Sequence, residues 1–228
     1  HAYAERVDMD RVRANFRGSC DADFDKWVRA SDLDAVPCIE KPGESNANPA
    51  KWLLWQDPLL AIMDPHLTDV DLREHYAALA EELLEAAGAG GEAGRLRFPG
   101  LLARVLSIKS HLRRDMAAAY KKGDRERLQR FVKDDLPTLR NRVRELWQCH
   151  RDVWTSNYKP FGWEVIETRY GALMARLNTV CERLESYLAG DTREIPELEA
   201  ELHPIFDLPE GDLPNLRARR VMTPSCIK

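Results

Sequence analysis

Apolar residues recur at intervals of three and four along most of the chain, which is the period of amphipathic α-helices. The longest stripe has a coiled-coil-like spacing and consists of Ile166, Tyr170, Leu173, Leu177, Val180 or Cys181, Leu184 and Leu188. No part of the chain shows a series of alternating apolar and polar segments, as successive strands would. The pattern therefore predicts an all-α fold.

Capping and breaking residues indicate where the other helices begin and end. Asp8 and then Asp21 or Asp23 suit the starts of two short helices, and Asn48-Pro49 suits an N-cap followed by proline at the first helical position. Longer helices are expected from Thr68 or Asp69 to about Ala87, from Leu101 to Lys122, and from Asp124 to Trp154 with an interruption near Pro137. These elements predict an antiparallel bundle of three to four long helices, with short N-terminal helices and an extended C-terminal tail.

Composition and charge narrow the functional classes. With 44% hydrophobic and 32% charged residues among 228, the chain fits an ordinary globular protein. A net charge of −4 gives no general attraction to nucleic acid or to anionic membranes, and no apolar run is long enough for a membrane span. Five cysteines without a C-x-x-C pair favour a reduced, cytoplasmic protein. The start lacks a signal peptide and a Met, so we expect a longer parent.

The sequence offers no convincing catalytic, cofactor or metal site. Gly88 and Gly90 loosely fit a dinucleotide fingerprint, but a helix rather than a strand is expected before them. The histidines show no pair at metal-binding spacing. Glu164 and Glu167 lie one helical turn apart, and neighbours on one helix cannot flank a sugar ring as glycosidase carboxylates do. We therefore predict no catalytic residue, cofactor or metal in this chain.

Two other features bear on binding. Residues 104–144 contain thirteen Lys and Arg against five Asp and Glu. We interpret this stretch as solvated helix surface, because its charges fall on the outer faces of two amphipathic helices and acidic residues elsewhere outweigh them. Aromatic residues concentrate at predicted helix junctions, and such clusters form cores, interdomain contacts or sugar platforms. The candidates for an interdomain or subunit interface are Trp52, Trp55, Tyr158, Phe161 and Trp163.

Several short segments, in one collinear order, resemble the C-terminal helical region of family 20 glycoside hydrolases. The two most specific are NPAKWLLWQDPLL at 48–60 and NYKPFGWE at 157–164. Three further segments agree with them: DFDKW at 23–27, RYGAL at 169–173 and RVMTPS at 220–225. Residues 1–18 are similar to the closing helix of the barrel that precedes this region in the family.

The resemblance implies a parent β-N-acetylhexosaminidase with an N-terminal (β/α)₈ catalytic barrel. In that family an adjacent Asp-Glu pair works by substrate assistance, an exception to the two-carboxylate scheme. This sequence contains no Asp-Glu dipeptide, and a barrel alone takes about 250 residues. No catalytic residue is therefore carried over, and the chain by itself is expected to be inactive.

The resemblance also suggests how the chain is divided and what it does. The expected divisions are residues 1–20, the last barrel helix and exit linker; 21–66, short helices, a loop and the Trp-rich segment; 67–204, the helical bundle; and 205–228, the extended tail. The expected role is to brace the barrel and to supply a dimer interface. Two alternatives stay open: a free-standing helical interaction module and a carbohydrate-binding domain.

Overall fold

The computed structural model describes residues 7–37, 48–67, 71–205 and 208, and within them all regular structure is helical. This confirms the all-α prediction. The α-helices are α1 (Met9–Cys20), α2 (Phe24–Arg29), α3 (Pro49–Trp55), α4 (Leu72–Ala87), α5 (Arg97–Lys109), α6 (Leu112–Lys121), α7 (Arg125–Arg130), α8 (Leu136–Asn157), α9 (Trp163–Ala189) and α10 (Pro196–Glu199). Short 3₁₀ segments lie at Ala30–Leu33, Asp64–His66 and Gly91–Leu96.

The helices pack in a series around one hydrophobic core. α1 packs on α2, α2 on α4, α4 on α5, α5 on α8, and α8 on α9, with α3 against α5 and α10 against α6. The buried residues form one cluster that extends from Val36 to Ile205. None of the described helices combines the length and the apolar content that crossing a bilayer requires.

The N-terminal helices begin at the residues that the sequence suggested. Asp8 accepts hydrogen bonds from the amides of the first turn of α1, and Asp23 does the same for α2. Asp21 adopts a left-handed conformation with φ 48° and ends α1. α1 continues to Cys20.

The predicted helix from Leu101 to Lys122 is wrong in two respects. Helical structure begins earlier, at Arg97, and it breaks at Ser110 and His111 into α5 and α6. The break has a physical reason: His111 Nε2 accepts a hydrogen bond of 2.9 Å from the Leu72 amide in the first turn of α4. If the helix ran without a break from α5 into α6, its apolar stripe would continue, but His111 would not lie where it accepts the hydrogen bond from the first turn of α4.

Three other boundaries also bear on the predictions. The interruption expected near Pro137 is present as a π-helical segment, Phe131–Asp135, directly before α8, because proline has no N–H to donate in a regular helix. α4 is capped by Asp71, whereas Thr68 and Asp69 lie outside the described residues. Apart from 205 and 208, the predicted extended tail, 205–228, also lies outside them.

Candidate interaction surfaces

The five aromatic interface candidates occupy different environments. Trp52 and Trp163 are buried in the domain itself. Trp55 is partly buried and packs edge-on against Tyr170, with ring centroids 4.9 Å apart. By contrast, Tyr158 is 65% exposed and Phe161 is 81% exposed. Of the five candidates, only Tyr158 and Phe161 are therefore exposed enough to contact another protein surface.

The exposed pair rests on a cluster of aromatic rings at the α8–α9 junction. The Trp154 ring lies 5.2 Å from the ring of Tyr158 and 6.1 Å from that of Trp163. Beneath them, His150 contacts Trp163 and lies with its Nδ1 3.1 Å from the Tyr170 hydroxyl. Burial lowers the pKa of His150, so the imidazole belongs to the apolar cluster in its neutral form.

Hydrogen bonds fix the conformation of the junction. Trp154 Nε1 donates to the Lys159 carbonyl at 2.9 Å, and the Gly162 amide donates to the Glu164 carboxylate at 2.8 Å. Gly162 has φ +94°, which favours glycine, and a Cβ at this position would lie 3.4 Å from the Trp154 ring. Tyr158 and Phe161 are therefore presented by an ordered turn.

Exposed large apolar side chains occur in two places among the described residues. One group, which we call the tip patch, comprises Tyr158, Phe161 and Val165 at the α8–α9 junction. The other, the N-terminal patch, comprises Val7, Met9 and Val28 on the α1–α2 pair. Exposed apolar side chains can mark protein–protein contacts, so we treat both groups as candidate interaction surfaces.

A buried connector between α3 and α4 is held by several ionisable side chains, some of which have shifted pKa values. Residues 56–67 are mostly buried although they are not α-helical, so their backbone groups require partners inside the protein. Lys109 Nζ donates to the carbonyls of Leu53 and Gln56 at 2.8 and 2.7 Å. Arg113 donates to the carbonyl of Leu59, and also to the carbonyls of Glu197 and Ala200 beside α10.

A carboxylate tethers the same connector to α9. Asp57 accepts the amides of Leu59 and Leu60 and forms an ion pair with Arg176, with Nε to Oδ2 at 2.6 Å. Burial alone would raise the pKa of Asp57, but the hydrogen bonds from Arg176 and the two amides outweigh it, and the pKa is lowered.

Burial shifts Asp64 of the connector and Lys109 of α5 toward their neutral forms. It lowers the pKa of Lys109 to about 7 and raises the pKa of Asp64 to about 6. Perturbed groups of this kind are found at active sites and also in structural networks. Here Lys109 contacts the backbone carbonyls of Leu53, near the end of α3, and of Gln56, in the connector, so we assign it a structural role.

Two surface grooves lie elsewhere, and neither is lined by Lys109 or Asp64. One, of about 470 Å³, lies between the end of α1 and α4, where Lys26 and Glu82 border it. The other, of about 420 Å³, lies beside α8 and is bordered by Arg97 and Cys149. Among the described residues, no three His, Cys, Asp or Glu side chains are grouped so as to hold a metal ion.

The basic stretch at 104–144 is largely engaged inside the domain. Lys109 and Arg113 hold the connector, Arg104 pairs with Glu145, and Arg127 pairs with Asp135. The interpretation of this stretch as simple solvated surface is therefore wrong for Lys109 and Arg113, which are buried. A continuous basic face for an acidic partner is not supported by these contacts.

Residues 25–214 match the family model described as the glycoside hydrolase 20C C-terminal domain. The chain belongs to this family. No curated protein matches the chain. The matched segment begins within α2, so α1 precedes the part that defines the domain, and the tip patch and the connector both lie inside it.

The buried ionic contacts of the connector are not predicted by the spacing of residues in the sequence. A signal was present, because Pro58 and Pro65 interrupt an apolar segment and exclude a regular helix there. Buried irregular backbone needs side-chain donors, and Lys109 and Arg113 are suitable donors on neighbouring helices. That Lys109 and Arg113 are the residues that donate to these carbonyls is decided by how α5 and α6 pack against the connector.

Proposed function

We propose that this glycoside hydrolase family 20 C-terminal domain braces the catalytic barrel of a β-N-acetylhexosaminidase. The barrel is proposed to belong to the same polypeptide and to release terminal N-acetylhexosamine from glycans. The domain itself contributes no catalytic residue, cofactor or metal. We further propose a cytoplasmic protein, which is supported by the free thiols of Cys20, Cys149 and Cys181.

The observation that carries the bracing role is the exposure of α1. This helix of 12 residues precedes the matched segment and contains no buried residue. Val12 and Phe16 are only partly buried, and Phe16 packs on Phe24 and Trp27 of α2. An amphipathic helix without a buried face requires a further partner, and the proposed division assigns residues 1–20 to the barrel and its exit.

The N-terminal patch gives this role a specific test in the full-length enzyme. Replacing both Met9 and Val28 by Glu places charges in the proposed contact, and we expect thermal inactivation of hexosaminidase activity to occur several degrees lower. Ala14→Glu, at an exposed position on the opposite side of α1, is the matched control. Unchanged inactivation temperatures in the double variant would exclude this patch as the bracing contact.

An activity assay tests the proposal that the catalytic residues lie in the barrel and not in this domain. A chromogenic N-acetyl-β-glucosaminide should be hydrolysed by the full polypeptide and not by the 228-residue chain, because the latter has no Asp-Glu pair to assist the substrate acetamido group. Turnover by the chain alone would show that the chemistry resides here and would overturn the proposal.

A further inference from the structure

Asp64 of the connector has a carboxyl group that is buried next to cations without being paired to one. As a residue Asp64 is only partly buried, but its Oδ2 is inaccessible and has no hydrogen-bond partner among the described residues. Its Oδ1 accepts a hydrogen bond from Gln56 Nε2 at 3.3 Å. Arg113, Lys109 and Arg114 all lie close enough to act on its pKa.

Arg113 uses its guanidinium to hold backbone carbonyls instead. Its Nε donates to the Leu59 carbonyl of the connector at 3.2 Å. Its Nη2 donates to the carbonyls of Glu197 at 3.1 Å and Ala200 at 2.6 Å. Arg113 therefore fastens the connector to residues 195–205, which we call the α10 segment.

These contacts are the ones expected when Asp64 carries a proton. A guanidinium and an ionised carboxylate that are buried side by side form a strong, charge-assisted pair, and leaving both unpaired is costly. A neutral carboxylic acid needs no cation. Burial raises the pKa of Asp64 to about 6, although the neighbouring cations lower it, so the acid form is favoured well above the usual pH range of an aspartate.

The other charged groups around Asp64 have partners of their own. Their contacts are Lys109 with backbone carbonyls, Asp57 with Arg176, and Arg114 with Asp115. Asp64 is also the carboxylate that acts on the pKa of Arg113. A change in the charge of Asp64 is therefore felt first by Arg113.

We propose that Asp64 is a proton-controlled switch that sets how firmly the α10 segment is held. With a proton on Asp64, Arg113 holds the carbonyls of Glu197 and Ala200. When Asp64 releases this proton to water, its carboxylate attracts the guanidinium, which keeps its own charge. The two carbonyls then lose their donor, and the contact between the connector and the α10 segment weakens.

The change is confined to the end of the α10 segment. Ile195 and Leu198 are completely buried, and the Tyr120 hydroxyl accepts the Ile195 amide at 3.0 Å, so the first part of the segment stays attached. At the other end, the Ile205 amide donates to His66 Nε2 at 2.9 Å. Residues 200–205 are therefore the part that opens.

The pH dependence has a definite sign. The pKa of Asp64 is about 6 in the closed arrangement, above its ordinary value of 3.8, whereas pairing with Arg113 in the open arrangement does not raise it. The segment is therefore held most firmly below about pH 4, opens more as the pH rises to about 6, and changes little above that. Because each pKa unit is a factor of ten, opening should increase by up to about 100-fold.

Hydrogen exchange of the 228-residue chain tests the proposal. The reporters are the Ala200 amide, which donates to the Pro196 carbonyl, and the Ile205 amide. Corrected for the intrinsic rates, their exchange should accelerate from about pH 4 to 6 and then level off. Asp64→Asn keeps a neutral side chain, so exchange should stay slow and independent of pH. Asp134→Asn, at an exposed position, is the matched control and should behave as the wild type.

A direct titration keeps the test valid even if Asp64→Asn does not fold. The side-chain carboxyl carbon of Asp64 in the wild-type chain should titrate by NMR with a midpoint near 6. A midpoint below about 4 would overturn the proposal, as would acceleration that persists in folded Asp64→Asn. Exchange that accelerates toward acid would also contradict it, because protonation of His66 Nε2 would then be what removes the acceptor of the Ile205 amide.

Discussion

At the scale of single residues, the domain uses buried cations to satisfy irregular backbone. Lys109 and Arg113 reach the connector from two consecutive helices and donate to its carbonyls, and Lys109 also donates to the Leu53 carbonyl near the end of α3. Taking an ammonium group out of water is costly, and the lowered pKa of Lys109, near 7, reflects that cost. The hydrogen bonds offset it because unpaired buried carbonyls would be costly as well.

Removing the Lys109 ammonium should therefore destabilise the domain even though it removes a buried charge. Lys109→Met leaves the carbonyls of Leu53 and Gln56 without their donor, and we expect a loss of about 2 kcal/mol in the free energy of unfolding. Urea denaturation measures this loss. Lys122→Met, at an exposed position, serves as control and should change stability by less than about 0.5 kcal/mol.

The same residue gives a pH dependence with a definite sign. Below pH 7 Lys109 is protonated in the folded and unfolded states, whereas between its folded pKa of about 7 and the ordinary 10.5 only the unfolded state holds the proton. Stability from this group therefore rises with pH above 7. Between pH 6 and 8.5 the wild type should gain stability relative to Lys109→Met in urea unfolding. Parallel pH curves would contradict the burial of Lys109.

At the scale of helices, the contact between α4 and α5 is the most extensive in the domain and depends on one close approach. A Cβ on Gly100 would lie 2.9 Å from Leu84 Cγ and 3.2 Å from the Leu84 backbone nitrogen. Neither atom is the free end of a flexible side chain. The absence of a side chain at Gly100 therefore sets the spacing of these two helices.

Gly100→Ala should lower stability although alanine favours helix. Overpacking against Leu84 costs about 1–3 kcal/mol, which exceeds the gain of about 1 kcal/mol in helix propensity. Gly18→Ala in α1, where a Cβ meets nothing within 4 Å, supplies the propensity gain alone and should be neutral or stabilising. Thermal unfolding of the two variants should therefore shift in different directions.

The helices also show which features of the fold can be predicted from the sequence and which cannot. The stripe of α9 was predictable because Tyr170, Leu173, Leu177 and Leu184 share one face, and all four are buried. The break between α5 and α6 was not, since the apolar spacing continues in phase across it. Nor could spacing separate Phe161 from Trp163, two residues apart but exposed and buried respectively, because the turn at Gly162 decides their directions.

At the scale of the whole molecule, the α1–α2 pair is attached differently from the rest. The other long helices share one core, whereas α1 buries no residue and α2 is joined to α4 partly by ion pairs. Glu82 of α4 receives Lys26 Nζ at 2.7 Å and Arg29 Nε at 2.9 Å. Partly exposed ion pairs contribute little stability and are screened by salt, so this pair of helices should open more readily than the core.

Hydrogen exchange of the 228-residue chain measures that difference directly. We expect amides of α1 and α2 to exchange through a local opening that leaves the core amides of α8 and α9 protected. Glu82→Gln should accelerate exchange in α1 and α2 about two- to five-fold, as should added salt in the wild type, with no change in α9. Glu81→Gln, at an exposed neighbouring position, is the control.

In the full-length enzyme the acceleration should disappear if the catalytic barrel covers the N-terminal patch, because the barrel would then hold α1 in place. Equal exchange rates in the chain and in the full-length enzyme would argue that nothing packs on α1.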